Sequence, residues 1–135
     1  LARMDIRRQL DHHERFLREV AHNSAKPEID SDVEALKRSL KFVSQNGAAA
    51  KEKTTRALAR IFNITEDEEM RRLAVTGLYR INKSQAKTQL LAIYGSSNVT
   101  EKWRSLSAHY LKLALEEGQQ ISKRDARTIT VIEAN

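Results

Sequence analysis

Two short strings in the chain, Met70-Arg71-Arg72-Leu73-Ala74 and Trp103-Arg104-Ser105-Leu106-Ser107, share the order apolar, Arg, any, Leu, small, and stand 33 residues apart. An acid lies two residues ahead of each, Glu68 and Glu101. A second pair, Leu58-Ala59 and Leu91-Ala92, each ahead of one of these strings, repeats at the same spacing. Val33-Glu34-Ala35-Leu36 matches the apolar positions 37 residues before Met70, with Glu where the arginine would stand. A period of this length holds two helices and their turns. Units that cannot bury a face alone then stack on one another as an α-helical solenoid. The competing arrangement is an irregular antiparallel bundle whose helices are similar because they obey the same packing rules. Tetratricopeptide units have a similar period, but their tryptophan, glycine, tyrosine and proline positions are not reproduced.

Punctuation in the sequence sets the helix ends. Ser31-Asp32-Val33-Glu34 and Thr65-Glu66-Asp67-Glu68 have capping-box spacing, and the acids Glu66 to Glu69 suit the positive end of a helix dipole. Asn82-Lys83-Ser84-Gln85 and Asn98-Val99-Thr100-Glu101 are weaker versions. Gly47, Gly95 and Gly118 fall where helices stop, and Pro27 closes the first segment. These marks predict helices near 2–22, 31–45, 49–63, 67–82, 84–94 and 100–116. Residues 119–135 read as a weak helix near 123–133, a strand-like tail or an unordered end. Connections of two to five residues force consecutive helices to lie antiparallel.

The first helix differs from the others. Ile6, Leu10, His13, Leu17 and Val20 alternate in steps of four and three, a narrow seam that caps the stack or joins a second helix, including that of another copy. Later helices have broader faces containing small residues, such as Met70, Leu73, Ala74, Gly77, Leu78 and Ile81. Such a face packs against neighbours on two sides.

The string from Glu68 to Leu78, followed by a turn and Leu90-Leu91-Ala92, resembles a HEAT repeat. The resemblance covers residues 31–116, about two and a half units on the two-helix period. It departs from the family at Glu34 and in the turn after Ile81, where the usual aspartate and proline signals are missing. It implies an all-α fold of antiparallel helix pairs stacked as a short right-handed α-solenoid. One longer N-terminal helix (1–24) precedes the repeats, and the whole forms a single domain over 1–135. It also implies that the second helix of each pair lines the inner face.

Catalytic chemistry finds little footing. With no cysteine among 135 residues there is no thiol nucleophile, thiolate cluster or disulfide scaffold, and this leans towards a cytoplasmic setting without fixing it. Neither a Gly-x-Ser-x-Gly elbow nor a glycine-rich phosphate loop occurs. His12 and His13 point about 100° apart on a helix and cannot share a metal unaided. His13 reads as a half-buried packing residue, and His109 as a core or groove histidine. Glu66 to Glu69 read as a solvated helix start, because nothing apolar surrounds them to raise a pKa. The sequence therefore implies a non-enzyme with no cofactor and no metal site. No segment approaches the about twenty apolar residues of a membrane span. The opening at Leu1, directly on a helical pattern, suggests a piece of a longer chain.

Charge gives the functional lead. The net charge is +6, and its placement is uneven. The first helix of each expected pair is near neutral, at +1 for 31–45, −1 for 65–82 and +1 for 99–116, whereas 46–64 carries +3 and 83–98 carries +2. Lys51, Lys53, Arg56, Arg60, Lys83 and Lys87 supply this excess, with Lys53, Arg56 and Arg60 on one stripe. If these helices line the inner face, as the resemblance implies, the stripe attracts a protein partner or acidic peptide. The alternative is a nucleic-acid backbone held by phosphate contacts without base stacking. Arg71 and Arg104, at equivalent positions, read as a structural ladder bridging to an acid or carbonyl of an adjacent unit.

Overall fold

The structure is a computed structural model and describes residues 2–23 and 30–134. It is all-helical. The helices are α1 (Ala2–Asn23), α2 (Asp30–Gln45), α3 (Glu52–Ile64), α4 (Glu68–Arg80), α5 (Ser84–Gly95), α6 (Glu101–Glu116) and α7 (Lys123–Ala134), with a single 3-10 turn at Gly47–Ala49. Pro27 and the side chains of Ser31 and Asp32 lie outside the described residues. No described helix is long and apolar enough to cross a membrane.

Each helix packs on the next but one. α1, α3, α5 and α7 touch in that order, as do α2, α4 and α6. The two sets are joined where α1 meets α2, α3 meets α4, α4 meets α5, α5 meets α6 and α6 meets α7. The core between them is closed by fully buried Leu36, Leu58, Ile61, Met70, Leu78 and Leu111. Phe62 and Trp103 meet edge to face at 5.9 Å, and Tyr79 stacks on Tyr110 at 4.6 Å. Such pairs add about 0.5–1.5 kcal/mol beyond burial. In α7 Ile129 is buried while Val131 stands 61% exposed, so the apolar run at 129–132 is divided by helical periodicity.

Several boundaries fall elsewhere than the spacing predicts, for local reasons. α3 starts at Glu52 rather than 49, because Ala50 and Lys51 are extended after the 3-10 turn. Thr65 does not cap α4. It closes α3, and its hydroxyl accepts the Asp67 N–H at 3.1 Å, while the Asp67 carboxylate caps α4 by accepting from Met70 N at 2.9 Å. That bond, with Lys37 alongside, holds the Asp67 carboxyl below its ordinary range. The caps of α5 and α6 are Lys83 and Thr100, and neither side chain bonds the helix end.

Gly118 ends α6 at φ 69°, a left-handed conformation that glycine adopts without strain. Gly47 serves a different need. A Cβ there would overlap the Arg80 carbonyl, so glycine lets the turn after α2 lie against the end of α4. Gly47→Ala should therefore lower stability by about 1–3 kcal/mol, the range for overpacking. Gly95→Ala, where a Cβ meets nothing within 4 Å, should cost nothing. Denaturant melts of the two variants check this, and equal midpoints would refute it.

Candidate interaction face

The six cations singled out by charge counting do not behave as one patch. Lys51 is exposed and pairs with Asp11 at 3.6 Å. Lys83 is half-exposed, with Nζ donating to the Ala48 carbonyl at 3.2 Å. Lys87 is fully buried, so it cannot line an exposed face. Its Nζ donates to the Ile81 carbonyl at 2.8 Å, closing the C-terminal end of α4. The reason is local: Ala86 and Leu90 beside it on α5 are buried, and the lysine stem follows them inward.

Lys53, Arg56 and Arg60 remain, exposed on one side of α3 and without an ion-pair partner among the described residues. They line a groove of about 260 Å3 between α1 and α3, together with Arg18 and His22 of α1, over a floor of Ala21 and Ala57. Sequence reasoning missed Arg18 and His22, because nothing in the first helix announces which neighbour its polar side faces. Lys53 and Arg56 also border the groove between α3 and α5, with Lys51, Glu52 and Gln85.

The groove exists because α1 is fixed against the start of α3. Glu14 is fully buried, and its Oε2 accepts the Lys51 N–H at 2.8 Å and the Thr54 hydroxyl. It thus caps α3 from another helix, where negative charge is favoured by the unpaired amides and the helix dipole. Thr54, also buried, accepts from Arg18 Nη1 at 3.4 Å, which ties one groove cation to the same cluster. The seam works with this anchor. Leu10 and Leu17 are fully buried and Val20 packs against the core. His13 Nδ1 lies 2.8 Å from Ser39 Oγ, and its ring stands 4.7 Å from Phe42. Burial, then the neighbouring His12 and Arg38 charges, holds His13 below the ordinary imidazole value. The seam is thus occupied within the chain and leaves only Ile6, 45% exposed, for a second copy.

On the opposite row the acidic start of α4 has its charges paired. Lys37 of α2 bridges to Asp67 at 3.4 Å and Glu69 at 3.2 Å, and Lys41 reaches Glu69 at 3.6 Å. Lys102 of α6 meets Glu68 at 3.1 Å. The acidic start of α4 is therefore clasped from both neighbours rather than simply solvated. Glu69 is held below its ordinary range, chiefly by the Lys37 hydrogen bond, and Lys37 is raised by the same contact. His109 is exposed, not a core or groove residue, and among the described residues no three His, Asp or Glu side chains gather into a metal-binding group. Arg71 Nε donates to the Thr65 carbonyl at 3.0 Å and Arg104 Nε to the Tyr94 carbonyl at 2.8 Å. Each arginine thus holds the end of the preceding helix and lies over an aromatic ring there, Phe62 and Tyr94.

No family model, curated protein or solved structure matches the chain.

Burial lowers the Lys87 ammonium to about 8. The unfolded chain binds that proton up to 10.5, so between these values it holds more protons than the folded one. Stability at this site is reduced by the buried charge below pH 8 and recovers as pH rises. Lys87→Met should remove the rise in unfolding free energy between pH 7.5 and 9.5 seen by urea titration of the parent. A variant curve parallel to the parent's would refute the assignment.

Proposed function

We propose that the chain is a non-catalytic interaction module: a short right-handed HEAT-like solenoid of antiparallel helix pairs that holds a protein partner along α1 and α3. Two features support the architecture. Helices contact their next-but-one neighbours in two sets, as stacked pairs do. The arginines 33 residues apart make the same helix-end contact. In this arrangement α1 takes the place of the second helix of a preceding unit.

The observation that carries the functional reading is the division of charge. Lys37, Lys41 and Lys102 meet carboxylates of α4, while Lys53, Arg56 and Arg60 meet none among the described residues and gather around one groove. Unpaired like charges gathered at one place raise the potential there and favour an anionic partner. The groove has no Phe, Tyr or Trp in its lining, so a nucleic acid would be held chiefly by its phosphates.

A photo-crosslinking side chain at position 56 should yield discrete protein adducts in extract of the producing cells, and the same group at exposed position 72 on α4 should not. Adducts to nucleic acid at 56 would favour the phosphate-binding reading, and equal labelling at both positions would overturn the assignment of this face.

A further inference from the structure

The groove between α1 and α3 has the layout of a seat for a third helix. Lys53, Arg56 and Arg60 follow one another in steps of three and four, rising about 4.5 and 6 Å along α3 at 1.5 Å per residue. Arg18 and His22, a step of four on α1, form the other wall. Between the walls lie two alanines, Ala21 and Ala57, which keep the floor low enough for another helix to approach. We infer that this groove takes an acidic amphipathic helix of a partner protein. The helix lies along α3 with carboxylates at every third and fourth position against Lys53, Arg56 and Arg60 and the facing Arg18, and a small apolar side chain over Ala21 and Ala57.

The charge spacing favours a helix over an extended segment. Carboxylates at i, i+3 and i+7 of a helix rise by the same increments as the cations of α3. Three same-side residues of an extended strand span about 13 Å against about 10.5 Å for the cations, and lose register. A duplex would bring phosphates but nothing to cover the alanine floor. Small apolar anchors flanked by charge are how amphipathic helices are held in grooves. The inference rests on the reading of this face as the partner-binding one.

The test uses the full chain and three fluorescent probes over a salt series. One is an alanine-rich helical peptide of about 18 residues, long enough to be helical in isolation, with glutamates on one stripe. The others are the same composition with the glutamates scattered, and a short DNA duplex. The striped peptide should bind at least roughly tenfold tighter than the scattered one, and weaken as salt rises. Arg56→Glu with Arg60→Glu should abolish that preference, and both positions are exposed, so the thermal melt should not move. Ala21→Leu, which raises the floor without touching charge, should also weaken the striped peptide. Equal affinity for both peptides overturns the helical register while leaving an acidic partner in place. Tighter binding of the duplex than of either peptide overturns the proposal in favour of nucleic acid. No binding of any probe overturns it too, and protein adducts at position 56 would then still support an interaction module with another kind of partner.

Discussion

One buried carboxylate organises the half of the molecule built on α1 and α3. Glu14 sits at zero exposure in the middle of α1 and accepts the first free amide ahead of α3. A carboxylate taken out of water costs several kcal/mol unless its lone pairs are used. Glu14 offsets part of that cost through Oε2, which accepts a backbone N–H and the Thr54 hydroxyl at the positive end of a helix dipole, while Oε1 is buried without a hydrogen-bond partner among the described residues. Leu10 and Leu17 on either side could pack against many surfaces. Glu14 makes its two bonds at the start of α3, and these favour one position of α1 along α3.

From that contact the groove follows. Arg18 is one helical turn beyond Glu14 and bonds the same threonine, so its guanidinium is brought to the edge of α3. His22 lies a turn further. The cations of α3 face the same opening because Thr54, Leu58 and Ile61 turn the other side of that helix into the core. On α4 the requirement is the reverse. Its acidic first turn would repel itself if left open, and Lys37, Lys41 and Lys102 close over it. The same composition thus yields an ionic clasp at the start of α4 and an unpaired cationic cluster on α3.

Helices and their approximate limits were legible because they depend on local signals: periodicity, glycine, acids in a first turn. Residues whose meaning lies in a distant partner were not. Glu14 has the spacing of the buried seam, on the face of Leu10 and Leu17, but carries a charge, and its partners are 37 and 40 residues away. Lys87 looks like any basic residue of a basic helix until the Ile81 carbonyl is seen beside it. Of the candidate stripe, the three residues on one face of α3 stayed together, since helical spacing alone decides that. Lys51, Lys83 and Lys87 were grouped with them by net charge, which records neither direction nor burial. Gly47 was legible as a break between helices, but its close approach to Arg80 depends on tertiary packing. The arginine pair is intermediate. Its equivalence is written in the 33-residue spacing, while the choice of a carbonyl over an acid needed the structure.

The corner between α3 and α4 has a mechanical consequence. Thr65 receives the Asp67 amide on its hydroxyl and the Arg71 guanidinium on its carbonyl, and its own amide is bonded back to Ile61. Every polar group of that residue is engaged, and the neighbouring Asp67 is committed to Met70. Bonds made by every polar group of one residue resist a change of angle at this corner, as a brace does between two beams. A load on α3 would therefore be passed to α4 and its ionic clasp rather than taken up in the bend.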